Sequence, residues 1–219
     1  MNCASLEAAN VPPRARRTGA SRVLALALLL TAFGCASPSA PRYHTLQASE
    51  RPVPRGGLAP TGDGGPRILL EPVHVPAQVD QPQWLVRLPD ESLALLEQER
   101  WASPLRDEFR LALREILTRR FGAVESRGAG EGAPVWRIRV DVSRFESLPG
   151  EARIDATYAL TPSTATTAAL RCSMFLREVA GAGMPALAEA HRHAVARLGE
   201  AIGQALLAIQ RDPHASCPA

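Results

Sequence analysis

The chain has 219 residues, with no lysine, 25 arginines and 22 acidic residues, for a formal net charge of +3. The excess is local. Four arginines but only one acid, Glu7, precede residue 35, so from Cys35 onward there are 21 of each. No basic stripe with interleaved aromatics remains to grip a phosphate backbone, which excludes nucleic acid as a partner, and the length suits one domain with a real core.

Arg14, Arg16, Arg17 and Arg22 precede an apolar run from Val23 to Phe33. Basic residues, a short apolar core and then small residues are the order of a secretory signal. The run is well short of the roughly 20 residues that cross a bilayer as a helix. It ends in Ala32-Phe33-Gly34-Cys35, which resembles the lipobox of bacterial lipoproteins, although Ala32 stands where leucine is usual. That resemblance implies a signal peptide over residues 1–34 and lipidation, palmitate included, at Cys35. Ala36 follows the cysteine rather than aspartate, a sorting pattern that implies the outer membrane.

Residues 35–66 are rich in Pro, Gly, Ser and Ala and are expected to form a flexible tether, with Tyr43-His44-Thr45-Leu46 its one strand-like stretch. About 30 such residues have a root-mean-square span of roughly 30 Å. Removing the tether is expected to cost the fold little, unless 43–46 forms an edge strand, in which case the deletion destabilises the domain clearly.

The folded domain is expected over residues 67–210, with 211–219 as a tail. Ile68 to Val75 reads as a strand interrupted by Pro72, which confines that position to an edge or a bulge. Trp84 to Leu88 is a second short strand, followed by a turn at Leu88-Pro89-Asp90. A helix then starts at Pro104 with Ser103 as its N-cap. Its apolar stripe is Leu105, Phe109, Ala112, Leu113, Ile116 and Leu117, and Gly122 ends it.

Trp136, Ile138, Val140 and Val142 alternate with polar residues, the strongest strand signal in the chain. Phe145 falls out of phase, which predicts a bulge near Arg144. Pro149-Gly150 turns the chain into a strand with Ile154, Ala156, Tyr158 and Leu160 on one face. A third strand runs from Cys172 to Val179. Pro185 to Ile209 forms a long amphipathic helix. The sum is an α+β fold: a two-layer sandwich, a mainly antiparallel sheet with two amphipathic helices on one face. Cys172 and Cys217 are left as a disulfide or as two free thiols.

Motifs for chemistry are missing. There is no Cys-x-x-Cys, His-Glu-x-x-His, Gly-x-Ser-x-Gly or phosphate-binding glycine loop. His191 and His193 diverge by about 200° on a helix and cannot share a metal; His191, on the apolar stripe, is expected in the core. Glu71 and His74 are too few ligands for a site. No nucleophile is assembled with a base, so neither catalysis nor a metal or cofactor is expected. Gly199 and Gly203 are expected to allow close packing on the sheet.

Several motifs occur in a telling order: Tyr43-His44-Thr45-Leu46, then Glu71-Pro72-Val73, then Val79-Asp80-Gln81-Pro82-Gln83-Trp84-Leu85-Val86-Arg87, then Arg100-Trp101-Ala102-Ser103-Pro104-Leu105, then the strand Val140 to Phe145. Over roughly Tyr43 to Ile209 this resembles the ABC-type transport auxiliary lipoproteins, the family of paraquat-inducible protein C. Leu85-Val86 stands where an Ile-Val pair is common, and His44 replaces a second tyrosine. The resemblance implies an outer-membrane lipoprotein facing the periplasm, an MCE-domain transport protein as partner, and intermembrane lipid transport as the process; a homo-oligomer also fits. It implies no catalytic residues. Asp80, Pro82, Arg87, Trp101 and Pro104 carry its most specific pieces and are read either as fold determinants, with Asp80 pairing Arg87, or as a partner surface. Lipid carriage between helices and sheet is the alternative function.

Overall fold

The computed structural model describes residues 40–48, 65–126, 134–164 and 169–218; the expected signal peptide and Cys35 lie outside the described residues. In chain order the elements are β1 (Arg42–His44), β2 (Arg67–Leu70), β3 (Gln83–Arg87), β4 (Leu93–Trp101), α1 (Leu105–Phe121), β5 (Val124–Glu125), β6 (Val135–Leu148), β7 (Glu151–Pro162), β8 (Leu170–Val179) and α2 (Met184–Arg211).

They make two mixed sheets rather than one. The larger has the order β5-β2-β6-β7-β8 and the smaller β1-β4-β3. β2 runs parallel to both β5 and β6, whereas β6, β7 and β8 form an antiparallel meander. The alternating pattern works here as the period of a strand requires: Ile138, Val140, Ile154, Tyr158, Leu160 and Leu176 are buried on one face, and Arg137, Arg139 and Ser143 are exposed on the other. The register between β6 and β7 slips between Val142 and Arg144. That bulge returns Phe145 to the buried face, where the phase of the sequence alone left it outside. Gly150 takes a left-handed backbone, φ 80°, at the turn. β2 stops before Pro72, and the chain rejoins β6 at His74, whose N–H and C=O bond Val140 and Val142.

α2 lies on β7 and β8, and α1 packs on α2. Gly199 and Gly203 face α1, not the sheet: a Cβ at Gly203 would stand 2.4 Å from the Phe121 ring, and one at Gly199 2.9 Å from the Ile116 side chain. α1 ends at Gly122 as expected, in a left-handed conformation. Its start differs. Pro104 is the N-cap, no side chain caps the helix, and the Ser103 hydroxyl donates instead to Glu108 at 2.6 Å.

β4 was not among the expected elements. Leu93-Ala-Leu-Leu-Glu-Gln-Glu-Arg-Trp101 is built of good helix formers and lacks a clean alternation. Gln83 pairs with Arg100 but Trp84 pairs with Leu96, so residues 97–99 are extra on β4. Before them Ala94 and Leu96 face the core side; after them Glu99 and Trp101 do. A disulfide joins Cys172 of β8 to Cys217 and holds the tail. Among the described residues no helix is long and apolar enough to cross a membrane.

Candidate functional site

The N-terminal segment is fastened to the domain by two buried carboxylates. Glu99, on β4, pairs with Arg42 and lies 2.7 Å from His44 Nε2. Glu108 sits in the first turn of α1, where the helix dipole favours an anion. Its Oε2 accepts from the Thr45 hydroxyl at 2.6 Å and the Leu46 N–H at 2.9 Å, and its Oε1 accepts from Ser103. Leu46 is itself 2% exposed and belongs to the core. A strand, β1, thus stands at Arg42–His44, where the sequence left room for an edge strand at 43–46, and Leu46 just after it is buried, so residues 42–46 pack with the domain while the rest of 35–66 was expected as tether. Glu108 carries a sequence signal of its own. It falls three residues after Leu105 and four before Ala112, on the apolar stripe, and a charge placed there needs buried partners.

The residues singled out from 78 to 104 surround the β3–β4 hairpin without converging on one spot. Asp80 pairs with Arg106, not with Arg87. Arg87 instead donates to Glu146 of β6 at 3.0 and 3.2 Å, which ties the small sheet to the large one. The Pro82 carbonyl accepts the Trp101 N–H at 2.9 Å, and Pro104 is an exposed helix cap. Trp101 is 3% exposed and stacks on Trp84 with ring centroids 4.1 Å apart. Its ring offers no surface to a partner.

Beneath this stack lies a sealed polar chain. Trp84 Nε1–H donates to Ser147 Oγ at 2.7 Å, and Ser147 Oγ lies 2.8 Å from His191 Nε2. A hydroxyl and an imidazole at that distance form the contact of a nucleophile and its base, which the sequence motifs do not reveal. Its setting removes that chemistry. Ser147 and His191 are both almost fully buried, no group among the described residues bonds His191 Nδ1, and Phe145 stacks on the imidazole at 4.1 Å. Burial pushes the His191 pKa down to about 3, so the ring is neutral and a poor base. The trio holds β3, β6 and α2 together.

The hairpin also opens an apolar groove of about 200 Å³ between Val86, Leu96, Leu148, Pro149, Met184 and Leu187. Leu88 stands at its mouth, and Leu93 and Leu95 are exposed on the outer side of β4. Glu71 and His74 bring no third ligand; among the described residues no group of three or more metal-ligating side chains occurs.

Residues 44–203 match the family described as ABC-type transport auxiliary lipoprotein component, and the chain belongs to that family. The match opens at His44, inside the fastened segment, rather than at Arg67. Two crystal structures share the fold. One, titled only as an uncharacterized protein, is 18% identical with a TM-score of 0.56, covering 64% of this chain and 90% of its own. The other, a DUF330-family protein from Xanthomonas campestris, has the same identity and TM-score over 80% of this chain and 99% of its own. No curated protein matches the chain significantly.

Proposed function

We propose that the mature protein is anchored in the outer membrane by lipid on Cys35 and serves as a non-catalytic accessory component of an MCE-type intermembrane lipid transport system. Family membership over residues 44–203 carries the reading. The fastening of β1 adds a distance: from Cys35 to Arg42 an extended chain reaches at most about 25 Å. The domain is thus held close to its membrane, which raises its effective concentration near a partner that spans the envelope.

Lipid carriage is the second reading, favoured by the apolar groove. At about 200 Å³ the groove falls below the ~300–1,000 Å³ typical of ligand pockets, which ranks carriage behind an adaptor role. Cys35→Ser should lose labelled palmitate and leave the membrane fraction, and sucrose-gradient fractionation should place the wild-type protein with outer-membrane markers. Undiminished labelling would refute the anchor. Crosslinking should recover an MCE-domain protein, and organic extraction of the purified domain should yield no stoichiometric lipid; near-stoichiometric lipid would promote the carrier reading.

A further inference from the structure

Among the described residues, β8 is the last strand of the five-stranded sheet and pairs only with β7. Its ten residues contain no proline and no register shift, two of the devices that blunt an open edge, and only the charges of Arg171 and Arg177 guard it. The described part of the tail reaches it near one end, where Cys217 is bonded to Cys172 and its Sγ lies 3.3 Å from the Arg171 carbonyl oxygen. Along the solvent face of β8 run Arg171, Ser173, Phe175, Arg177 and Val179, with Phe175 77% and Val179 91% exposed. Two large apolar side chains on an unpaired edge are out of place in a region that is otherwise polar.

The charges beside them are unbalanced. Neither Arg171 nor Arg177 makes a salt bridge among the described residues, although most of the described arginines do. Arg177 stands directly opposite Arg153, whose own guanidinium is held by Glu151 at 2.8 Å. Like charges opposite each other across a ladder are unfavourable, and the one β7 carboxylate that attracts Arg177, Glu151, is already hydrogen-bonded to Arg153. An anion on the open side of β8 would correct this. A second copy of the chain would not: paired antiparallel about Phe175, it would bring two more arginines to the same face.

We propose that the free edge of β8 docks an extended segment of a partner protein as a sixth strand, antiparallel, with acidic residues opposite Arg171 and Arg177 and an apolar residue opposite Phe175. Backbone hydrogen bonds supply the attachment and the two charge-assisted contacts set the register. On a strand the arginines are about 20 Å apart on one face, so the partner's acids must lie six residues apart. The proposal rests on this edge alone and does not depend on which transport system the protein serves.

The test uses the chain from Cys35 onward, with Cys35→Ser, and a blocked ten-residue peptide of threonines carrying Glu at positions 2 and 8 and Val at position 4. The peptide should slow amide exchange along β8, and Arg171→Glu with Arg177→Glu should weaken it by about tenfold or more. The same peptide with Lys at positions 2 and 8 should bind only that double variant. All three substituted sites are exposed, so melting temperatures of the variants, Phe175→Ser included, should match the parent. Three results would overturn the proposal: no protection of β8 at millimolar peptide, equal binding of both peptides to the parent, or a Phe175-dependent contact of another kind. The last would appear as dimerisation in sedimentation, or as binding to phosphatidylglycerol vesicles, that Phe175→Ser abolishes.

Discussion

In the large sheet, β7 buries Ile154, Ala156, Tyr158 and Leu160 against α2, and no charge enters that layer from it. In the small sheet, β4 turns Glu99 inward beside Trp101, and β1 and the two residues after it reach the core through His44, Thr45 and Leu46, each bonded to a carboxylate. The first arrangement gains stability in proportion to apolar area and tolerates local error. The second depends on every buried polar atom keeping its partner, because a carboxylate stripped of its donors in the interior is costly. The small sheet should therefore fail locally and abruptly where the large one weakens by degrees.

The severest test removes the N-terminal segment. Truncation to Gly65 takes away β1 and Leu46 and leaves Glu99 and Glu108 without most of their donors. At ~3–5 kcal/mol for a broken buried pair and about 2–4 °C per kcal/mol for a domain of this size, the melting temperature should fall by more than ten degrees. A shift of only a few degrees would restore the long tether expected from composition.

On the large sheet, Cys217→Ser opens a disulfide between residues 45 apart. Loop-closure entropy for that separation amounts to about 4 kcal/mol. Urea unfolding of the oxidised parent and the variant should differ by most of that amount, and reductant should abolish the difference. Equal midpoints would mean that the tail adds nothing to β8.

Glu108→Ala should cost about 2–3 kcal/mol, since it orphans the Leu46 N–H and two hydroxyls. Its distinguishing mark is where the loss appears. Amide exchange should quicken at Leu46 and across β1 while β6 and β7 stay protected; uniform quickening would show that the two sheets unfold as one.

His191 gives a pH dependence of definite sign. Above pH 6.5 the ring is neutral in both the folded and the unfolded chain, and its burial costs nothing in protonation. Between 6.5 and about 3 only the unfolded chain takes up the proton, so stability falls as pH falls. At about 1.4 kcal/mol per pH unit this group removes roughly 2 kcal/mol by pH 5. His191→Gln, which keeps a polar group facing Ser147, should flatten that part of the acid limb. Identical limbs for the two proteins would contradict the buried neutral ring.

The smallest effect expected is that of Gly203→Ala. Overpacking against the Phe121 ring costs ~1–3 kcal/mol, and alanine's better helix propensity returns about 1. Net destabilisation near 1 kcal/mol should appear at Gly203 and less at Gly199, where the nearest atoms, of Ile116, stand at 2.9 Å rather than 2.4 Å.

The residue pattern alone determined the meander from Trp136 to Val179, both helices, the bulge near Arg144 and the αL stop at Gly122, because each rests on local periodicity or on one residue's backbone preference. The order of motifs from Tyr43 to Phe145 likewise determined the family. Only the tertiary structure decided the rest. β4 is a strand because β1 and β3 flank it, against its own helix-forming composition. Asp80 chose Arg106 over Arg87, the glycines of α2 met α1 rather than the sheet, and Ser147 met His191 across 44 residues. Cys172 and Cys217 paired because the tail doubles back under β8. Each of these is a contact between residues far apart in sequence. Periodicity records which face a residue presents, but not which distant face it meets.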